Sequence, residues 1–291
     1  MSIRKRQMLN QLHRLLPEGL LADAAWFTRM GYSSSLRGRY VAGGWLETIV
    51  RGVFRRPPHR PGLRGTAPLH WQHVVISLQT VMERPIAVGG RTALEFAGFT
   101  HYSPKGEPPE VKLYGDVAAP TWLGKLPVET EFVFHRARKL FSDGLVADAL
   151  EARKAVLRER GADGEGSLDA SLHWLPFSQR DWPILLSSPE RAVLELLDEL
   201  PGRETFHQAD MLMESLVNLG PERMGRLLRD CRSVKVKRLF LWFAERHGHA
   251  WFKRLDLGGI DLGSGKRMLV RGGRLDTRYG ITVPRNLDAG G

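Results

Sequence analysis

The stretch Leu20 to Arg56, LLADAAWFTRMGYSSSLRGRYVAGGWLETIVRGVFRR, constrains the fold more than any other part of this 291-residue chain. Asp23 can cap a helix whose apolar Ala24, Phe27 and Met30 fall at i, i+3 and i+6, and Gly31 can take the left-handed conformation that stops it. Ser33 or Ser34 can cap a second helix, with Leu36, Tyr40 and Gly43 on one face and Ser34, Arg37, Gly38 and Val41 on the other. After Gly43-Gly44, Trp45 to Ile49 and Val53 to Arg56 have the character of strands around Arg51-Gly52, where Gly52 supplies the positive φ of a hairpin turn. Helix, tight joint, helix and hairpin in this order spell a winged helix-turn-helix. An opening helix, Arg4 to Leu16, carries the apolar stripe Met8, Leu12, Leu15 and Leu16 and stops at Pro17, which places it under the other two.

A helix that presents small and cationic side chains fits the major groove of B-DNA, where arginine can bond guanine through two N–H groups. Ser34, Ser35, Arg37 and Arg39 lie on or beside the outward side of the second helix, while Arg51 marks the hairpin tip and Arg55 and Arg56 its end. These seven residues are therefore the candidate contacts to double-stranded DNA. A helical subdomain with a solvated basic face, or a winged helix that binds protein, would use the same pattern.

The run GYSSSLRGRYVAGGWLETIVRGVFRRP resembles the N-terminal domain of AbiEi-type antitoxins, the transcriptional-regulator members of type IV toxin-antitoxin systems, with Phe54 where that family usually has tyrosine. VGGRTALEFAGFTHY at 88–102 and VKVKRLFLWFAERHGHAWFKRLDLGGIDLGSGKRMLVRGGRLDTRYGITVP at 234–284 extend the similarity over most of the chain. The resemblance implies a DNA-binding autorepressor and antitoxin that neutralises a nucleotidyltransferase toxin. Its implied partners are promoter DNA and that toxin, and its antitoxin action is assigned to the part beyond residue 68. Nothing in the sequence fixes the oligomeric state; pairing on DNA is one open arrangement.

The net charge of +11 is unevenly spread. Residues 1–66 hold 12 Lys and Arg against 3 Asp and Glu, a net of +9, and residues 223–278 hold 15 against 5, a net of +10, so the remainder totals −8. Two basic segments therefore flank an acidic middle, which favours polyanionic partners over simple solubility as the reason for the charge. In the second segment Arg223, Arg226 and Arg229 recur every three residues, Lys235, Lys237 and Arg238 follow, and Lys266 and Arg267 come later. They form a candidate antitoxin or nucleic-acid surface, with a solvated stripe as the plain alternative. An RNA-binding or RNA-processing protein acting through this region is the competing function. Phe240, Trp242, Phe243, Trp251 and Phe252 could then stack on bases, although their helical spacing also suits a core.

The fold class expected is mixed α/β (α+β) in three parts. Residues 1–66 form the winged helix-turn-helix, residues 67–187 a mixed α/β domain, and residues 188–291 a helical basic subdomain closed by short strands. The Pro- and Arg-rich run RRPPHRPGLRGTAP at 55–68 suggests a linker, so the larger part is expected to fold without the first. In the middle part, Leu69 to Met82 and Thr92 to Ala97 suggest helices, and Ile86 to Val88, Val111 to Tyr114, Glu131 to His135 and Ser171 to Pro176 suggest strands. Asp143 to Ala170, a helix followed by the glycine-rich GADGEGS, interrupts the family pattern and is expected to be a dispensable surface insertion. Ser188-Pro189-Glu190 opens the first of four C-terminal helices, and RMLV and YGITV suggest the closing strands.

Enzyme motifs fail on inspection. GGIDLGSGKR ends in Gly265-Lys266 but lacks the first glycine of a P-loop and has Arg267 where Ser or Thr is required. His247-x-His249 and His70-x-x-His73 have no companion ligands, so no metal is expected, and no cofactor motif is present. The paired carboxylates of a nucleotidyltransferase are missing, so the chain is expected to be a regulator and not an enzyme. The single cysteine, Cys231, suits a small buried hydrophobe. With no apolar run approaching ~20 residues, no membrane partner and a cytoplasmic location are expected.

Overall fold

The computed structural model describes residues 3–58, 67–99, 109–142, 145–158, 171–177, 182–285 and 287. The N-terminal elements are α1 (Ile3–Leu15), β1 (Leu21–Asp23), α2 (Ala24–Arg29), α3 (Ser34–Ala42), β2 (Glu47–Val50) and β3 (Val53–Arg55). Local chemistry sets their limits as anticipated. Asp23 Oδ1 accepts from the Trp26 N–H at 2.8 Å to start α2, Gly31 follows at φ +85°, and Ser33 Oγ accepts from the Leu36 N–H to start α3. Gly52 turns the hairpin at φ +82°, and β1 joins the two strands in the antiparallel order β1-β3-β2. The elements thus follow the order helix, strand, helix, helix and hairpin.

The following elements are α4 (Trp71–Ile76), which continues into a π-helical turn at Ser77–Val81, β4 (Ile86–Val88), α5 (Gly90–Phe96), β5 (Glu110–Gly115), β6 (Glu131–Arg136), α6 (Ala137–Leu140), α7 (Leu145–Arg158), β7 (Leu172–Phe177) and β8 (Trp182–Ser187). Five strands make one mixed sheet, ordered β6-β5-β4-β8-β7. The pairs β5–β6 and β4–β8 are parallel, and β4–β5 and β7–β8 antiparallel. The sequence reading missed β8, whose WPILLS lacks polar alternation and contains Pro183, an argument against an inner strand. Pro183 lies opposite Pro176, close to the Phe177–Trp182 end of the β7–β8 pair.

α8 (Pro189–Asp198), α9 (Phe206–Ser215), α10 (Pro221–Asp230) and α11 (Val234–His247) then stack with α5 around a helical core, closed by β9 (Arg274–Asp276) paired with β10 (Ile281–Val283). RMLV is not a strand. Within it only Arg267 bridges β10, at Ile281, and the β10 partner lies further on at Arg274–Asp276.

Three expectations about organisation need correction. First, no core boundary falls near residue 66. Ile86, Val88, Val111, Leu113, Ile184 and Leu186 line one sheet face and pack in a single buried cluster with Val74, Val75 and Leu78 and with Leu12, Leu16, Leu21 and Phe27 of the N-terminal elements. Of the expected linker, 59–66 lies outside the described residues, while its end is fastened: the Arg55 guanidinium donates to the carbonyls of Ala67 at 2.8 Å and Pro68 at 3.4 Å. Second, no boundary falls near 187, because Ala93, Leu94, Leu140 and Phe141 share the helical core with α8 to α11. Third, the described part of the supposed insertion, α7, is not confined to the surface. Val146 and Ala149 of α7 pack with Ala87, Tyr114, Leu172 and Leu185 on the opposite sheet face. The GADGEGS loop itself lies outside the described residues.

Candidate nucleic-acid interface

The outward side of α3 carries Ser34, Ser35, Gly38, Arg39 and Ala42, all exposed, while Tyr40 is buried and Leu36 and Val41 pack partly against the core. Residues 35, 38, 39 and 42 follow the i, i+3, i+4, i+7 spacing of one helical face. The sequence reading set this face one residue earlier, because only three apolar residues mark the inner side. The displacement matters for Arg37, whose Nη1 turns back to donate to the Tyr32 carbonyl at 2.7 Å and to Thr28 Oγ1 at 3.3 Å. Its guanidinium also lies 5.9 Å from the centre of the Phe54 ring. Arg37 therefore holds the α2–α3 joint and does not project from it. Arg39 takes the outward place, and Arg51 is exposed on the wing turn. Arg29, exposed in the last turn of α2, the helix that precedes α3, is a third cation that the sequence reading passed over. Among the described residues none of these three side chains makes a hydrogen bond or ion pair within the protein.

Arg55 and Arg56 depart from expectation. Arg55 is only 1% exposed and pairs with Glu47, besides holding the two carbonyls at 67 and 68. Arg56 donates to the carbonyls of His13 at 3.0 Å and Leu16 at 3.3 Å, and to Glu18 at 3.0 Å, which ties down the end of α1. Two arginines in sequence at the end of a wing look like phosphate contacts. The signal against that reading is the sheet order, in which β3 is the middle strand and one of its faces must be buried.

A family model described as the transcriptional regulator AbiEi antitoxin of a type IV TA system matches residues 108–284, and one described as its N-terminal domain matches residues 5–104. The chain belongs to the AbiEi antitoxin family. This AbiEi antitoxin is thus a member of a family of transcriptional regulators. It is also similar to the crystal structure of the RV2827C protein from Mycobacterium tuberculosis, at a TM-score of 0.51 and 14% identity over 97% of this chain and 91% of that one, which shows a shared fold. No curated protein matches it. The two family matches meet between residues 104 and 108, yet β4 and α5 of the N-terminal match lie against β5 and β8 of the other.

The basic C-terminal segment of this AbiEi antitoxin divides into internal and exposed cations. Arg223 pairs with buried Glu190 at 2.9 Å, and Arg229 reaches Asp256 at 3.4 Å and the Gly258 carbonyl at 3.3 Å. Burial alone would raise the Glu190 carboxyl, but bonds from the Gly220 N–H and Arg223 overcome it and hold that carboxyl below its ordinary value. Lys235 Nζ donates to the carbonyls of Asp198 at 2.6 Å and Leu200 at 2.8 Å, at the end of α8. Lys237 and Arg238 are each 5% exposed. Arg238 donates to the carbonyls of Leu262, Gly263, Gly265 and Gly280, shaping the loop that presents Lys266 and Arg267. So Arg223, Lys235, Lys237 and Arg238 are committed to the fold, and Arg229, though exposed, is tied to Asp256 and Gly258, in place of the continuous basic surface expected. Arg226, Lys266 and Arg267 are exposed, as are Lys253, Arg254, Arg271 and Arg274, which the spacing argument overlooked because no helical period links them.

Phe240, Trp242, Phe243 and Trp251 are buried in the helical core. Cys231 is buried too, and that burial pushes its thiol up to about 11, which leaves it protonated at neutral pH. His247 Nε2 lies 2.8 Å from Asp210 Oδ1 and His249 Nε2 2.7 Å from the Met213 carbonyl oxygen, so each ring is used in packing α9 against the end of α11. No helix among the described residues is long and apolar enough to cross a membrane.

Proposed function

We propose that this regulator represses its own promoter by binding double-stranded DNA through α3 and the β2–β3 wing, and that it neutralises a nucleotidyltransferase toxin. The observation that carries the DNA reading is the outward face of α3. It is small enough at Ser35, Gly38 and Ala42 to approach base edges, and it carries Arg39, whose side chain has no partner in the described protein. Arg51 on the wing and Arg29 in the last turn of α2 supply cations where phosphates would flank the groove. The toxin reading rests on family membership. The competing RNA reading is weakened, since Phe240, Trp242, Phe243 and Trp251 fill the core and only Phe252 of the five aromatics is partly buried.

Arg39 and Arg51 are expected to act differently. Arg39→Ala should weaken binding to the promoter by roughly 1–3 kcal/mol and relax base preference, as loss of a two-pronged base contact does. Arg51→Ala should weaken all sequences alike and make the dependence of log K on log salt shallower by about one. Arg37→Ala should act mainly on thermal stability, through the α2–α3 joint. Gel shifts over a salt series, with promoter and random duplexes, separate the three. Equal effects of Arg39→Ala on both duplexes would contradict the base-reading role. For the toxin, growth of cells expressing the neighbouring toxin from an independent promoter should be restored by the full chain, and no rescue would remove that half of the proposal.

A further inference from the structure

The π-helical turn at Ser77–Val81 lies between the N-terminal elements and the central sheet, and it contains two buried polar side chains, Ser77 at 0% and Gln79 at 1% exposure. Side chains two residues apart on a helix point to opposite sides. Ser77 Oγ accepts from the Leu21 N–H of β1 at 2.8 Å, and β1 is an edge strand of the wing sheet. Gln79 reaches the other way. Its Nε2 donates to the carbonyls of Ile86 and Leu185, each at 3.1 Å, and its Oε1 accepts from the Leu185 N–H at 3.0 Å. β4 and β8 pair directly at Val88 and Leu186, and the Gln79 amide fills the gap between them just before that pair, at Ile86, two residues earlier in β4, and at Leu185, one residue earlier in β8. Five consecutive residues thus hold one backbone group of the DNA-reading module and three of the central sheet.

β1 runs directly into Asp23, the cap of α2, and α2 packs into α3 through the Arg37 joint. A second tie joins the same point to the sheet: Trp122 Nε1, from the connection between β5 and β6, donates to Asp23 Oδ2 at 3.3 Å. We infer that Ser77 and Gln79 are positioning residues for DNA recognition, which fix the pose of α3 on the central sheet and make operator affinity depend on the state of that sheet. This rests on the DNA reading above and adds to it a route by which anything that alters the β4–β8 junction changes repression. Buried polar side chains of this kind could otherwise be independent plugs that each satisfy a local backbone group. The two cases differ in what happens at the far end.

The test is amide hydrogen exchange on the full chain, paired with promoter and random-duplex binding. Gln79→Leu keeps the volume and removes the bridge, so coupling should raise exchange at Leu21 to Asp23 as well as at Leu185. Ser77→Ala, held in place by the Trp122–Asp23 tie, should raise exchange at Leu185 as well as at Leu21. Ser77→Thr, which keeps the acceptor, should restore protection. Promoter Kd should rise roughly two- to thirtyfold in the first two variants, the range such couplings span, with random-duplex Kd unchanged. Exchange confined to the mutated side, with promoter affinity intact, would overturn the inference. If Gln79→Leu fails to fold, unchanged Leu185 protection in Ser77→Ala overturns it alone. Failure of the wild-type chain to prefer its promoter would instead remove the DNA reading, and the exchange results would still decide whether the two sides are coupled.

Discussion

Replacing residues 145–169 with a short Gly/Ser linker is expected to lower the thermal midpoint by on the order of 10–20 °C, or to prevent folding. The sequence pattern pointed the other way, because the segment interrupts the family similarity and ends in a glycine-rich loop. In the structure α7 is a cover. Val146 is 1% exposed, Ala149 0% and Leu150 5%, and the helix lies on β7 and β4. Losing the two larger side chains from the core forfeits ~1.5–3 kcal/mol each. The uncovered Ala87, Leu172, Leu185 and Tyr114 would add to that. Set against a net stability of ~5–15 kcal/mol, the loss is a large fraction of the whole. Circular dichroism melts of the two proteins measure it, and an unchanged midpoint would show that α7 contributes nothing to the core.

Removing residues 1–68 should be more damaging still. A fragment beginning at Leu69 would leave Val74, Val75, Leu78, Ile86 and Ile184, all within a buried cluster, without Leu12, Leu16, Leu20, Leu21 and Phe27. Ser77 would lose the Leu21 N–H, and Trp122 would lose Asp23. The exposed face would be a contiguous apolar patch of the kind that drives aggregation. The fragment is therefore expected to be insoluble or to melt without a cooperative transition, and its failure to rescue cells from the toxin would then report folding and not antitoxin chemistry. A soluble monomeric fragment with a native-like melt would contradict the shared core and restore the picture of two independent parts.

Elements with local signals were legible in the sequence. Asp23, Ser33 and Ser188 cap helices where the pattern placed them, and Gly31 and Gly52 take the positive φ their turns require. What the sequence hid was decided by contacts distant in the chain. Arg55 looks like a phosphate ligand until β3 is known to be the middle strand. Arg238 looks like one of a basic series until a loop some 25 residues later wraps its carbonyls around the guanidinium. The need for glycine at 89 was hidden in the same way: a Cβ there would collide with Glu195 Oε2, the same carboxylate that accepts from the Gly90 N–H. The outward face of α3 missed by one residue for a simpler reason. Nine residues with three apolar positions leave the helical phase poorly determined.

A nuclease-protection footprint on the chain's own promoter, run with the wild-type protein and Arg39→Ala at one salt concentration, tests the account most directly. The wild-type protein should protect a discrete site at concentrations that leave random duplex open, and Arg39→Ala should lose that site while keeping weak, salt-sensitive binding. Protection of the same site at the same concentration by Arg39→Ala, or no discrete site with the wild-type protein, would contradict recognition through α3.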